Sequence, residues 1–186
     1  MTGRIFTADH HVYDLPPLLS WNVRHTGTVP CDSWSVTAVY QPEMLTVLRM
    51  AAGFAAIENG MTQLRGIVDE YTVELGSRGM TVTLSGRGYA ARLLDNESRP
   101  VTYEQVTLRE LVRCHAEPYG ISCEAAVDLR STVPYTAGVG ISQWKVISEF
   151  CRTYGGFLPR FAKTGELLAV PEKDDGKRIV IDDSSP

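Results

Sequence analysis

The chain has 186 residues, enough for one sizeable domain or two small ones, and at 44% hydrophobic and 22% charged it carries the apolar material of a packed core rather than of a disordered segment. Its formal net charge is −4, and with no basic run it lacks the electrostatic footprint of a nucleic-acid binder. No segment approaches the roughly 18 apolar residues that span a bilayer, and Met1 to His11 is polar, without the apolar stretch of a secretory signal. These features predict a protein made and kept in the cytosol. Cys31, Cys114, Cys123 and Cys151 are scattered with no Cys-x-x-Cys pair, so in a reducing compartment they read as buried small hydrophobes rather than disulfides.

In chain order, Ile5 to Leu15 and Leu19 to His25 read as strands split by Pro16-Pro17. Ser33 to Tyr40 alternates, with Trp34, Val36, Ala38 and Tyr40 on one face, the period-two mark of a half-buried strand. Met44 to Ala52 reads as a short helix or an irregular connection. Asn59-Gly60 is a hairpin signal, because both central residues of a type I′ turn need positive φ. A second alternating run sets Ile67, Tyr71, Val73 and Leu75 against Glu70, Thr72 and Glu74, with Asp69 interrupting its apolar face at a rim or bulge. A third sets Met80, Val82 and Leu84 against Thr81, Thr83 and Ser85, and the Gly76 to Gly79 loop joins the two. Clean alternation suits an antiparallel sheet or small barrel and disfavours a buried parallel sheet.

The pattern changes near Tyr89. Leu108, Leu111, Val112 and His115 fall on one face of a helix over Thr107 to Glu117, with Thr107 and Glu110 as a capping box and Pro118 and Gly120 as its stop. Ile121 to Val127 reads as a strand and Asp128 to Gly140 as a loop. Ser142 caps a second helix with the apolar stripe Trp144, Ile147, Phe150, Cys151 and Tyr154, ended by Gly155-Gly156. Phe157 to Phe161 and Glu166 to Val170 form a hairpin; Glu172 to Lys177 is a charged linker and Arg178 to Asp182 one more strand. The fold class expected is α+β: an antiparallel β-barrel domain over residues 1–96, then a small helix-strand-helix-hairpin domain over 97–171, then a linker and strand over 172–186.

Candidate chemistry is thin. Gly86, Gly88 and Ala91 fit G-x-G-x-x-A, but a dinucleotide-binding first strand is a continuous apolar run with a parallel partner, whereas the strand here alternates within a hairpin. The glycines therefore read as a strand end bending into a short helix containing Ala90 to Leu94. His10, His11 and His25 lie in polar or strand-end positions. Cys114 and His115 with Cys123 or Cys151 make a conceivable zinc set, yet the chain has no ligand pair at the short spacing of structural sites, and His115 reads as a hydrogen-bonded core histidine. Asp69, Glu70, Asp95 and Glu97 pair into a glycosidase dyad only on paper; Asp69 and Glu70 point to opposite faces of one strand. Trp21, Trp34, Trp144, Tyr71 and Phe150 occupy core-facing positions and read as packing. No catalytic, cofactor-binding or metal residue is assigned.

Leu64 to Tyr71 (LRGIVDEY) and Val82 to Glu97 (VTLSGRGYAARLLDNE) resemble the hub proteins of phage tail baseplates, the broad family of late-control protein D and the Mu-like baseplate hubs. Thr107 to Val112 (TLRELV) followed by Pro118 to Ile121, and Ser142 to Leu158 (SQWKVISEFCRTYGGFL) followed by Lys163 to Leu167, resemble that family's first and second helices with their following strand and hairpin. The resemblance covers residues 30–183. It implies a non-enzymatic structural component of a tail baseplate hub, adapting the tail tube to the spike or tip complex. It also implies a homotrimer in which two barrels per subunit make a pseudo-sixfold ring. The expected partners are other hub subunits, tail tube and spike or tip proteins, with no nucleic acid, membrane or cofactor, and the expected location is the virion tail, or the bacterial cytoplasm during assembly. Family members continue into a second barrel, and this chain ends where that barrel would begin. A carbohydrate- or ligand-binding β module, an enzyme with an unrecognised site, and the hub of a contractile secretion apparatus are the alternatives.

Overall fold

The computed structural model describes residues 1–27, 30–77, 79–125 and 128–172. Its first half is built on β1 (Thr2–Thr7), β2 (Val12–Asp14), β3 (Leu18–Arg24), β4 (Ser33–Val39), α1 (Met44–Arg49), β5 (Ala51–Glu58), β6 (Met61–Gly76) and β7 (Gly79–Gly88). The strands form one antiparallel sheet in the order β2-β1-β5-β6-β7-β4-β3. Ile5 to Leu15, expected as one strand, is a hairpin: Thr7 N–H bonds to the His11 carbonyl, and His10 takes φ 67° at the turn. Asn59 and Gly60 have φ 51° and 78°, the paired positive values of a type I′ turn.

Seven strands laid flat at about 4.8 Å spacing would put the outer strands about 29 Å apart. Only Leu15, Pro16 and Pro17 join the two edge strands, β2 and β3, and three linking residues reach about 14 Å at most. The sheet must therefore curl. It wraps Ile5, Leu15, Trp34, Val36, Phe54, Leu64, Val82 and Leu84 into one core, with Met44 and Leu48 of α1 packed into the same cluster. Among the described residues β2 and β3 do not pair, so the expected barrel is a curled sheet with an open seam.

Asp69 is where the expected faces change phase. The β6–β7 register shifts between Val68 and Glu70, and a one-residue bulge moves the side chains beyond it to the other face. Leu64 and Val68 join the core before the bulge, Tyr71 and Val73 after it. Ile67, grouped by alternation with Tyr71, is not part of that cluster.

The second half comprises α2 (Ala91–Leu94), β8 (Val101–Tyr103), α3 (Leu108–His115), β9 (Cys123–Ala125), β10 (Tyr135–Ala137), α4 (Gln143–Phe150), β11 (Arg160–Phe161) and β12 (Leu167–Ala169). Its separate core gathers Leu93, Leu108, Leu111, Val112, Ile121, Val146, Ile147, Phe150, Cys151 and Leu167. The capping box forms as expected: Thr107 accepts from the Glu110 N–H, and Glu110 accepts from the Thr107 N–H. Ser142 caps α4, which runs through a π-helical turn, Cys151–Gly155, to Gly156 at φ 67°. The Phe157 to Val170 hairpin is confirmed as β11–β12, with β12 pairing in parallel with β9. The expected loop 128–140 contains β10, paired to β8. Val127 and the strand expected at 178–182 lie outside the described residues, as does all of the 172–186 segment beyond residue 172.

Candidate functional site

The Gly86–Gly88 motif sits on a stretch where β6 and β7 lie close together. Gly66 faces Gly88 across the ladder, and Val68 faces Gly86. A Cβ on Gly66 would run into the Arg87 carbonyl; one on Gly86 would meet the Ile67 carbonyl and, at 2.9 Å, Cζ2 of Trp34. Two strands pressed this close leave no room for side chains, so packing accounts for the glycines. Strand β7 is antiparallel to both neighbours, β6 and β4, so the motif lacks the parallel strand setting of a dinucleotide site.

Arg87 locks the bend that follows. Its Nε and Nη2 donate to the two oxygens of Asp69, both at 2.9 Å, and Nη1 donates to Asp95 at 3.0 Å. These hydrogen bonds, Asp69 first and Asp95 second, hold the guanidinium pKa above its ordinary value. The bulge at Asp69 is thus tied to the residue that ends α2. Two of the four carboxylates considered for a dyad serve as Arg87 ligands. The other two are also engaged: Glu70 accepts from the Ser85 hydroxyl, and Glu97 accepts from the Gly140 N–H.

His115 is buried, and both ring nitrogens are engaged. Nδ1 bonds to Gln143 Oε1 at 2.5 Å and Nε2 to the Tyr103 hydroxyl at 3.0 Å, while Gln143 Nε2 donates to the Glu97 carbonyl and the Tyr119 hydroxyl. An amide oxygen can only accept, so Nδ1 carries the proton and Nε2 accepts from Tyr103. Burial holds the imidazole pKa below its ordinary value, against the opposing Gln143 bond. The ring's one available lone pair, on Nε2, is taken by Tyr103, so none is left for a metal. No group of three or more His, Cys, Asp or Glu among the described residues is arranged to hold an ion. His25 bonds to Asp32, and His11 to Asp9.

Two expectations about burial are corrected. Cys151 is buried and Cys123 half-buried, and burial pushes both thiols up to about 12, but Cys31 and Cys114 are exposed. Trp34, Trp144 and Phe150 are core residues, whereas Trp21 is 50% exposed. Trp21 stands opposite Val36 and so points to the core side of the sheet, but β3 is an edge strand, and among the described residues no strand pairs with its outer side. Leu19 on the same strand is also exposed. A second open strip runs along β6: among the described residues, 70–76 pair with β7 alone, because β5 ends its pairing at Ile67. At the tip of that arm Leu75 faces Met80, and both are exposed. The alternation pattern does not reveal these features, because it assigns a face and not a neighbour.

No protein-family model matches the chain, and no curated protein sequence matches it. Solved structures do. The chain is similar to a tail protein of Neisseria meningitidis MC58 (TM-score 0.67, 14% identity), covering 90% of this chain and 49% of that one. It is similar to the 43 kDa tail protein of prophage MuSo2 from Shewanella oneidensis (0.65, 15%), covering 90% and 54%. It is also similar to the prophage tail protein gp18 of Listeria monocytogenes EGD-e (0.59, 8%), covering 90% and 49%. The chain has the fold of phage tail proteins. It spans about half the length of each of these structures. No helix among the described residues is long and apolar enough to cross a membrane.

Proposed function

We propose that this chain is a structural module of a phage-type tail baseplate hub that adapts the tail tube to the spike or tip complex and carries no catalytic site. The observation that carries the reading is the extent of the likeness: 90% of the chain aligns with tail proteins from three bacteria. In this reading residues 1–96 are a barrel-like unit, 97–171 the attached α+β unit, and 172–186 the passage into a second barrel. Three copies bring two such barrels each to a pseudo-sixfold ring inside the virion tail, assembled in the bacterial cytoplasm. The open strips of β3 and β6 support it, since an unpaired edge bearing apolar side chains is a surface made for another chain. Such work needs extended complementary surfaces and no pocket.

The test is quantitative mass spectrometry of purified tail particles. The reading expects this chain's peptides in the particle, at a trimer's worth of copies per tail and far below the tube protein. Their absence from intact particles, or a copy number equal to the tube protein's, overturns it.

A further inference from the structure

On the face of the sheet away from its core lies a depression of about 370 Å³. Ile5 and Phe54 point to the core, so their neighbours Phe6 and Gly53, opposite each other across the β1–β5 ladder, point out. Gly53 puts no side chain into the space above it. Phe6 forms one wall and carries the Arg65 guanidinium 4.9 Å from its ring centroid. Arg65 also donates through Nε to the Tyr89 hydroxyl at 3.1 Å. Arg92 lies 4.6 Å over the Tyr89 ring and commits Nη1 to the Tyr119 carbonyl at 2.9 Å. The β11–β12 turn fixes the same ring: a Cβ on Gly165 would come within 2.6 Å of it.

The two charged side chains of the lining, Arg65 and Arg92, are both donors. No Asp or Glu lines the depression. Arg4 and Arg87 have carboxylate partners, but among the described residues neither Arg65 nor Arg92 has one within ion-pair distance. Because the Tyr89 oxygen accepts from Arg65, its own proton is left to donate. Two guanidiniums gathered at one aromatic ring repel each other, and an anion bound by both offsets that repulsion; their aromatic stacking leaves the outer N–H edges to act as a fork.

We infer that this depression is an oxyanion-binding site, taking a phosphate or carboxylate group in the fork of Arg65, with Arg92 and the Tyr89 hydroxyl as the further donors. The inference stands apart from the hub reading. The test follows the arginine Nε–Hε resonances of the ¹⁵N-labelled full chain during titration with inorganic phosphate and, in parallel, succinate, at constant ionic strength. The expected result is a saturable shift of Arg65 and Arg92, weakened about tenfold or more in Arg65→Gln with the amide spectrum of α3 and α4 unchanged. Tighter binding of phosphate or of succinate assigns the source of the oxyanion. Arg65→Lys keeps the charge and loses the fork, and serves where the Gln variant disturbs the spectrum. A linear response equal to that of chloride, or affinity unchanged in both variants, overturns the site.

Discussion

The Trp34 ring lies flat on Phe54, centroids 3.8 Å apart and planes 13° apart, while its Nε1 donates to the Ile67 carbonyl at 3.1 Å. One side chain thereby ties β4 to β5 through its ring and to β6 through its polar edge. That position is open to the indole only because residue 86 has no side chain.

Gly86→Ala should therefore lower the free energy of unfolding by about 3 kcal/mol, because the added methyl meets both the Ile67 carbonyl and the Trp34 ring. Gly138→Ala is the control, since a Cβ there meets nothing within 4 Å, and should change stability by about 0.5 kcal/mol or less. Urea unfolding of both variants checks this. Equal midpoints would mean that the β6–β7 crossing yields more readily than its geometry implies.

The thiols should divide by burial. Cys31 and Cys114 are exposed, while burial holds Cys123 and Cys151 at about 12, and the thiolate is the reactive form. A chromogenic disulfide reagent at neutral pH should label Cys31 and Cys114 in the folded protein, and all four after denaturation. Peptide mapping that found Cys151 labelled under native conditions would place the α4 core under frequent local opening.

Local signals made the second half legible almost element by element. Thr107 with Glu110, Ser142, and the Gly155-Gly156 pair mark helix ends by chemistry that operates within a few residues, and the structure keeps each. The β8–β10 ladder was not legible, because three-residue strands at 101–103 and 135–137 are too short to show a period. In the sheet, alternation gave the faces of β4 and β7 correctly. It marked the bulge at Asp69 but grouped Ile67 with Tyr71 across it, where the phase changes, and it placed Trp21 in the core, although exposure there depends on strand order. The Arg65–Tyr89–Arg92 cluster left no motif, since its residues come from β6 and from the bend and helix after β7, and meet only when the sheet forms.

His115 gives stability a dependence on pH. Its folded pKa lies below the unfolded value near 6.5, so the neutral ring is the form the fold prefers. The unfolded chain takes up the proton first as pH falls. Stability from this group is therefore full above pH 6.5 and declines as pH drops from there toward the folded pKa, below which it levels off. Unfolding free energies measured from pH 8 to pH 5 should show that decline, and His115→Gln should remove it. An unchanged slope in the variant would assign the decline to other groups.

Trp21 separates an edge used in assembly from one merely left bare. Half its surface is already open, so Trp21→Lys should cost the monomer about 1 kcal/mol or less. A lysine there places a charge on the core side of the edge strand, a change that blocks strand addition. Sedimentation velocity over a range of concentrations should show self-association of the parent chain that weakens at least tenfold in the variant. If the parent chain stays monomeric across that range, or both associate alike, β3 is not where copies of this chain meet, and the strip along residues 70–76 of β6 becomes the edge to mutate next.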